Sequence, residues 1–346
     1  MLKRIVSIVL CLMMLFACLA ATACSAPAAN GDSTATQAPQ AAATEPPAEK
    51  KLKIAMICSG AINDGSWNTS GYNGLMAIGE KYGAETAYSE QVSIDELPTV
   101  LRSYGREGFD IIIAHSMEYD EQMKRIAPEF PDTKFVTVNG FSTGDNLYAV
   151  QFKYWELQYF VGLAAGLVSK TGQVADIAAM ETEMTKMEIQ ALQQGAAYAN
   201  AACVAKISYT GDWNDLAKAK EASLAQIADG SDVLEANVSS ATSAILGACQ
   251  EKGAYCIGWG NDISSMDPKT VVVSALFGME GLYTITAEML MNGTSDRNLL
   301  LSMRDGAMSM TKMADWVPQD KKDIFDQRLA DYLAGKFDIK VEGALQ

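Results

Sequence analysis

The chain has 346 residues, of which 49% are hydrophobic and 20% charged, and 42 acidic residues against 27 basic ones give a formal net charge of −15. This length allows a substantial core and more than one lobe, while the acidic balance, with basic residues scattered along the chain, disfavours nucleic acid as a partner. The single histidine excludes metal sites that need two or three imidazoles.

The N-terminus predicts export. Lys3 and Arg4 precede an apolar run over residues 5–21, which ends in small residues before Cys24. This pattern is typical of a signal peptide over residues 1–23, with cleavage and attachment of a lipid to the Cys24 thiol. Cys18 is a weaker alternative for the lipid. Ordinary secretion and an uncleaved anchor also remain open.

Residues 25–50 consist almost entirely of small, polar and proline residues, so we expect a disordered tether from Cys24 to residue 50. The folded domain is predicted over residues 51–346. No other segment is long and apolar enough to span a bilayer.

Apolar runs alternate with helical periodicity in the first part of this domain. Strands are predicted over 53–58, 109–114 and 134–138, and helices over 70–82 and 121–130. Buried strands that alternate with helices favour a parallel sheet.

The same alternation continues after residue 150. The pattern predicts helices over 155–170, 188–201, 214–229 and 241–252, and strands over 173–179, 204–209, 233–235, 254–259 and 270–274. We therefore expect an α/β protein with two doubly wound parallel-sheet lobes. Lobe 1 would comprise about 51–150 plus 274–300, and lobe 2 about 151–273 plus 301–346.

In doubly wound sheets, ligands bind beyond the carboxyl ends of the strands. The loops predicted there carry four aromatic residues, Trp67, Tyr119, Trp213 and Trp259. Flat rings from opposing loops suit a flat ligand, because stacking on a side-chain ring contributes about 1–3 kcal/mol. A place in the core is the alternative, above all for Trp259.

Polar residues next to these rings would read the edge of such a ligand. Amide and carboxylate groups, which match the edge of a purine or pyrimidine, are found at Asn63, Asp64, Asn68, Asp120 and Asn237. A turn or helix cap is the alternative for Asn63 and Asp64. His115 follows a predicted strand, where it either lines the pocket or serves a structural role.

Several kinds of chemistry have no support in the sequence. It contains no Gly-x-x-x-x-Gly-Lys-Ser/Thr loop and no Gly-x-Gly-x-x-Gly after a first strand, so nucleotide phosphates lack their usual cradle. We expect neither cofactor nor metal, and no enzyme activity. Cys249 and Cys256 lie near enough in sequence to pair, and buried free thiols are the alternative.

Three motifs resemble the basic membrane protein family, which includes the purine nucleoside receptor lipoproteins of ABC importers. The segment 62–68 (INDGSWN) resembles the family's loop after the first strand, 152–162 (FKYWELQYFVG) its crossover, and 209–215 (YTGDWND) a loop with a second aromatic residue. The resemblance covers nearly all of residues 51–335.

The resemblance implies a type I periplasmic-binding-protein fold, in which two lobes close on a ligand at a hinge. Trp67 and Trp213 would then sandwich a base, and Asp120 would bind it. The implied partners are a small-molecule ligand, an ABC permease, and the membrane through the lipid anchor, on the extracytoplasmic face. We expect a monomer.

The chain departs from the family where the nucleoside receptors hold ribose. An acid in a strand-exit motif is replaced by Gly260, and a later lysine by Phe277. A free base or another flat heteroaromatic ligand is therefore expected. A riboflavin-type vitamin and a surface sensor without a transport role remain alternatives. The complete candidate set is Asn63, Asp64, Ser66, Trp67, Asn68, His115, Ser116, Tyr119, Asp120, Trp213, Asn237, Gly260, Asn261, Asp262 and Phe277.

Overall fold

The structure, a computed structural model, describes residues 51–64 and 67–344. The predicted signal peptide, the Cys24 lipidation site, the tether and Ser66 therefore lie outside the described residues. None of the described helices is long and apolar enough to cross a membrane.

The first half of the domain alternates strands and helices. Its elements are β1 (Lys53–Ile57), α1 (Trp67–Tyr82), β2 (Glu85–Ser89), α2 (Leu97–Arg106), β3 (Ile111–Ala114), α3 (Asp120–Ile126), β4 (Lys134–Val138) and β5 (Leu147–Phe152). The predicted helices and strands of this half are confirmed, with shifted ends. β2, α2 and β5 were not predicted.

The second half begins with α4 (Tyr154–Val168), β6 (Gln173–Ala178), α5 (Glu183–Ala199), β7 (Val204–Tyr209), α6 (Leu216–Ala228), β8 (Val233–Asn237), α7 (Thr242–Lys252), β9 (Tyr255–Gly260) and β10 (Val271–Phe277). The chain ends with α8 (Met279–Met291), β11 (Asn298–Leu301), β12 (Met308–Met310) and α9 (Gln319–Leu333). α5 begins five residues earlier than predicted, because Thr182 and Thr185 form a reciprocal capping box.

The strands form two six-stranded sheets. The first has the order β11-β5-β4-β3-β1-β2 and the second β12-β10-β9-β8-β6-β7. All pairings are parallel except that of β10 with β12, which places one antiparallel strand at an edge. The predicted α/β architecture with two parallel-sheet lobes is confirmed.

Close helix packing holds the second lobe together. α4 is buried along its whole length and packs against α5, α9 and the second sheet. Two glycines allow the approach to α5, since a β-carbon on Gly162 would lie 2.0 Å from the Leu192 carbonyl oxygen and one on Gly195 would lie 1.8 Å from that of Tyr159. The cysteines Cys58, Cys203, Cys249 and Cys256 are buried free thiols, so the second alternative for Cys249 and Cys256 is the one observed.

The chain passes between the two sheets after β5, after β10 and after β11. At the first two crossings the carboxyl ends of β5 and β10 lie close together, and the ring centroids of Phe152 and Phe277 are 5.7 Å apart. The carboxyl ends of the strands of both sheets thus converge on one region, where the site was predicted.

Candidate functional site

Asp64 holds the first residues of α1. Its carboxylate accepts hydrogen bonds from the backbone N–H groups of Asn68 at 3.1 Å and Thr69 at 3.0 Å, and from the Asn68 side chain at 2.8 Å. Asp64 thus caps the first turn of α1, the alternative considered for it from the sequence. Asn63 is exposed beside it.

Asn68 is buried, and its Oδ1 has no hydrogen-bond partner. Gly60 makes room for the side chain, since a β-carbon there would lie 2.3 Å from Nδ2 of Asn68. A buried amide oxygen without a partner carries an energetic cost that a ligand donor can remove. Asn68 therefore offers an acceptor at the start of α1.

Trp67 and His115 form one unit. The ring centroids lie 4.4 Å apart with an angle of 17° between the planes, and Nε1 of Trp67 donates to the His115 carbonyl oxygen at 2.9 Å. In return, Nε2 of His115 lies 2.9 Å from the Trp67 carbonyl oxygen, and Nδ1 lies 2.8 Å from the Tyr283 hydroxyl. Trp67 itself is only half-buried.

These contacts determine the state of the imidazole. A carbonyl oxygen can only accept, so Nε2 carries the proton and Nδ1 accepts from Tyr283. His115 is fully buried, and burial lowers its pKa to about 4. The ring is therefore neutral at physiological pH and supports Trp67 from behind, as in the structural alternative stated for it.

The residues that follow His115 have different environments. Ser116 is half-buried, and its hydroxyl caps the short 3-10 helix Met117–Tyr119. Tyr119 is fully buried in the core of the first lobe, where its hydroxyl donates to the Val92 carbonyl oxygen. It presents no ring face to solvent.

Asp120 is buried and holds the loop that follows β4. Its carboxylate accepts from the backbone N–H of Phe141 at 3.3 Å and of Ser142 at 2.9 Å. Gly140 is needed for this approach, because a β-carbon there would lie 2.6 Å from Oδ1 of Asp120.

Trp213 lies on the loop between β7 and α6, and its side chain is 46% exposed. Asp212 and Asp215 stabilise this loop with hydrogen bonds to backbone N–H groups, and the Trp213 carbonyl accepts from the Ser239 N–H at 3.0 Å. The loops after β7 and β8 are thus joined, and they present an aromatic ring to solvent.

Asn237, at the end of β8, is buried among three carboxyl groups. Its Nδ2 donates to Glu188 at 3.1 Å and to Asp176 at 3.3 Å. Glu235 stands directly opposite Asp176 on the neighbouring strand and accepts from Gln158 at 2.9 Å. We call Asp176, Glu188 and Glu235 the buried acid cluster.

Burial raises the pKa of all three acids. The pKa of Glu188 rises to about 7. Those of Asp176 and Glu235 rise well above their usual range, through burial first and then through the neighbouring carboxyls. Sequence reasoning missed this cluster, although an acid in the middle of a short buried strand, as in 173–178 (QVADIA), was a signal that could have revealed it.

Gly260 and Phe277 face each other at the ends of β9 and β10. Gly260 has φ +82°, and a β-carbon on it would lie 3.0 Å from the ring of Phe277. Phe277 is half-buried against Phe152, Tyr154 and Trp259, with ring centroids 5.2–5.7 Å apart. Asn261 and Asp262 are exposed beyond Gly260, and hydrogen bonds from Ser264 lower the pKa of Asp262.

Trp259 is buried within this aromatic group, which agrees with the alternative stated for it from the sequence, a place in the core. Phe152 and Tyr154 were absent from the predicted set, and only the convergence of the two lobes brings them there. These aromatic side chains form an apolar wall on one side of the region where the strand ends of the two sheets converge.

A separate apolar cavity of about 150 Å³ lies between the lobes. It is lined by Phe141, Gln151, Trp155, Glu183, Met184, Met187, Leu300 and Gly343, none of which was predicted to bind ligand. In the described part of the chain, no group of His, Cys, Asp or Glu side chains is arranged to hold a metal ion.

The profile of the family described as "ABC transporter substrate-binding protein PnrA-like" matches residues 51–336. Transcriptional activator protein med of Bacillus subtilis is 28% identical over 280 residues, covering 80% of this chain and 86% of its own length. A purine-binding protein of Brucella abortus is 25% identical over 295 residues, covering 84% of this chain and 83% of its own length.

Solved structures support the fold. The structure of a transcriptional activator of the comK gene from Bacillus halodurans superposes with a TM-score of 0.74 at 23% identity, covering 83% of this chain and 100% of that one. At this identity the likeness establishes the architecture alone.

Proposed function

Because this chain belongs to the family of PnrA-like ABC transporter substrate-binding proteins, we propose that it captures a flat heteroaromatic solute, a purine base or a relative of one, between its two lobes. Family membership makes a small molecule its ligand and a permease its partner. Export with a lipid anchor on Cys24, a location on the extracytoplasmic face and a monomeric state are parts of the same proposal.

The unit formed by Trp67 and His115 carries the proposal. A stacked imidazole and two reciprocal hydrogen bonds hold the indole of Trp67 at the start of α1, beside the unpaired Oδ1 of Asn68. A rigid aromatic platform next to an unused acceptor suits a flat ring that has an N–H donor on its edge. Trp213 would cover the opposite face when the lobes close, as type I binding proteins do.

His115 and Asp120 enter the proposal as positioning groups, because both are buried and engaged with neighbouring atoms. The neutral His115 is enclosed between Trp67 and Tyr283 and has no room to exchange protons with a substrate. This environment supports a binding function over catalysis. Tyr119 serves the core of the first lobe.

Calorimetric titration of the detergent-solubilised full chain with adenine, guanine, hypoxanthine, uracil and their nucleosides tests the proposal. We expect at least one purine compound to bind with micromolar or lower Kd, and sugars such as glucose not to bind. Binding of a sugar in preference to every heteroaromatic compound would refute it. Native mass spectrometry of the purified protein checks independently for a retained ligand.

Sensing without transport is the second candidate, favoured by the relative named as a transcriptional activator. The two functions predict different results for uptake of the ligand into cells. Cells that lack the chain should lose uptake of the labelled ligand if it serves a permease, and keep normal uptake if it only senses.

A further inference from the structure

Residues 336–344, which follow α9, pack along α5, and we call them the docked segment. Three of its residues contact three successive turns of α5, in the reverse order of the sequence. These contacts join Lys340 to Gln194, Glu342 to Gln190, and Gly343 to Met187. Both glutamine side chains bond to backbone atoms of the segment at 2.9 Å. The docked segment therefore advances toward the amino end of α5.

Two arginines anchor the start of the docked segment. The guanidinium of Arg304 donates to the Asp338 carboxylate at 2.9 Å and to the Phe337 carbonyl oxygen at 2.7 Å, and that of Arg328 lies 3.4 Å from the centroid of the Phe337 ring. Arg304 follows β11, where the chain passes between the sheets for the third time. The family profile ends at residue 336, so nearly all of these contacts lie beyond the part of the chain that it describes.

The docked segment leads to the apolar cavity between the lobes, and Gly343 forms part of the lining of that cavity. Side chains of both lobes form the other walls. These are Trp155, Glu183, Met184 and Met187 of the second lobe, and Phe141, Gln151 and Leu300 of the first. Gln151 lies just before the first crossing between the sheets, and Leu300 lies just before the third. The cavity thus adjoins the hinge.

Leu345 is the next large apolar residue of the chain, two positions after Gly343 and just outside the described residues. One further turn of α5, about 5.4 Å, leads from Met187 to Met184, and two residues of extended chain span about 7 Å. Leu345 therefore has the reach to enter the cavity. The cavity has a volume of about 150 Å³, and an apolar cavity of this size takes a group as large as benzene. The ring of Phe141, which is 60% exposed, would gain an apolar neighbour.

We propose that the side chain of Leu345 fills this cavity, and that the docked segment thereby braces the hinge between the lobes. At one end, Arg304 ties the segment to the third crossing. At the other end, Leu345 would stand between α5 and the first lobe. Bending at the hinge would then withdraw an apolar side chain into water, which is unfavourable. The segment would restrain the relative motion of the lobes that type I binding proteins use.

Photo-cross-linking tests the location of Leu345. A diazirine amino acid replaces Leu345 in the full chain, and replaces Ile324 in a control, because Ile324 is 44% exposed on α9. Mass spectrometry after irradiation and proteolysis identifies the linked peptides. We expect position 345 to link to peptides that contain Met184, Met187 or Leu300, and position 324 to link to none of them. Links from position 345 only to other regions, or none within the chain, would overturn the proposal.

Thermal unfolding measures what the contact contributes. Leu345→Ala removes apolar surface from the cavity and should lower the Tm by about 2–5 °C. Leu345→Met keeps the size and should stay within about 1 °C of the unaltered chain. Ile324→Ala, at an exposed position, should also stay within about 1 °C. An unchanged Tm for Leu345→Ala would contradict occupation of the cavity.

Hydrogen exchange without added ligand reports on the hinge. We expect Leu345→Ala to speed amide exchange about threefold or more at the crossings, over residues 152–156 and 301–304, and to leave β8 unchanged. Ile324→Ala should change neither region. A lower Tm with unchanged exchange at the crossings would mean that Leu345 only adds packing, and the role of the docked segment as a brace would be wrong. These measurements use no ligand, so their outcome is independent of the proposed function.

Discussion

The indole of Trp67 and the imidazole of His115 are stacked 4.4 Å apart, and each residue also hydrogen-bonds to the other's backbone carbonyl. These contacts join residues that are 48 positions apart in the chain. They connect the start of α1 to the loop after β3, so His115 helps to hold the Trp67 ring in place.

Replacing Trp67 should weaken ligand binding without unfolding the protein. We expect Trp67→Ala to reduce ligand affinity about 5- to 150-fold, which corresponds to about 1–3 kcal/mol of lost stacking. Calorimetric titration measures the loss. Trp316, which stacks on Tyr255 at the amino end of β9, opposite to the end where the site lies, provides the control: Trp316→Ala should lower stability and leave affinity within twofold. A change below twofold for Trp67→Ala would remove this residue from the site.

Gly71 allows the imidazole to approach α1. A β-carbon on Gly71 would lie 2.6 Å from the His115 ring, which has no free space to move into. We expect Gly71→Ala to destabilise the protein by about 1–3 kcal/mol and to weaken ligand binding.

Gly247→Ala is the matched control, since nothing lies within 4 Å of a β-carbon in the middle of α7. It should raise stability by about 0.5–1 kcal/mol, because alanine favours a helix over glycine. Urea unfolding measures both variants. Equal effects of the two substitutions would show that the His115 contact is unimportant.

Phe277 should exclude a sugar. Its ring lies against Gly260 and the aromatic group of Phe152, Tyr154 and Trp259, so a ribose placed there would lose partners for its hydroxyls at about 1–3 kcal/mol for each buried group. We expect each free base to bind more tightly than its nucleoside.

Phe277→Ala should narrow that difference by opening the space, and calorimetry with base and nucleoside pairs checks it. A nucleoside that binds the unaltered protein tenfold more tightly than its own base would contradict this prediction.

The buried acid cluster should make stability depend on pH. Burial raises the pKa of Glu188 from 4.5 to about 7, so the folded protein keeps a proton that the unfolded chain releases near pH 4.5. The stability that this proton contributes is fully present below pH 4.5 and is lost as the pH rises through about 7. This group alone would account for about 3 kcal/mol.

Urea unfolding at pH 5 and pH 8 measures the effect. Asp176 and Glu235 act in the same direction, because their pKa values are also raised. Glu188→Gln should therefore reduce the difference between the two pH values without abolishing it. An unchanged difference in this variant would show that Glu188 does not titrate in this range.

Removal of residues 1–50 should leave a folded, soluble monomer. All three hydrophobic clusters of the described residues lie after residue 51, and the tether composition contains no large apolar side chains. Light scattering coupled to size exclusion should report a mass near that of the shortened chain, and thermal unfolding should match that of the full chain. Precipitation or a dimer would count against this boundary.

Local pattern was sufficient to predict the two parallel sheets, because buried strands and amphipathic helices leave periodicities that need no knowledge of distant residues. β2 was missed, since a short polar edge strand such as 85–89 (ETAYS) lacks an apolar run. β11 and β12 were missed as well, and both are short edge strands. β11 lies at the edge of the first sheet opposite β2, and β12 at the edge of the second sheet opposite β7.

The sequence by itself determined the α/β class and the alternation of its elements, and it predicted a site in the loops at the carboxyl ends of the strands. Tertiary structure decided what individual residues do there. It packed Tyr119 into the core, turned His115 into a support for Trp67, and set Asp176 opposite Glu235. These outcomes depend on sheet order and strand register, which bring together residues dozens of positions apart and leave no local signal in the chain.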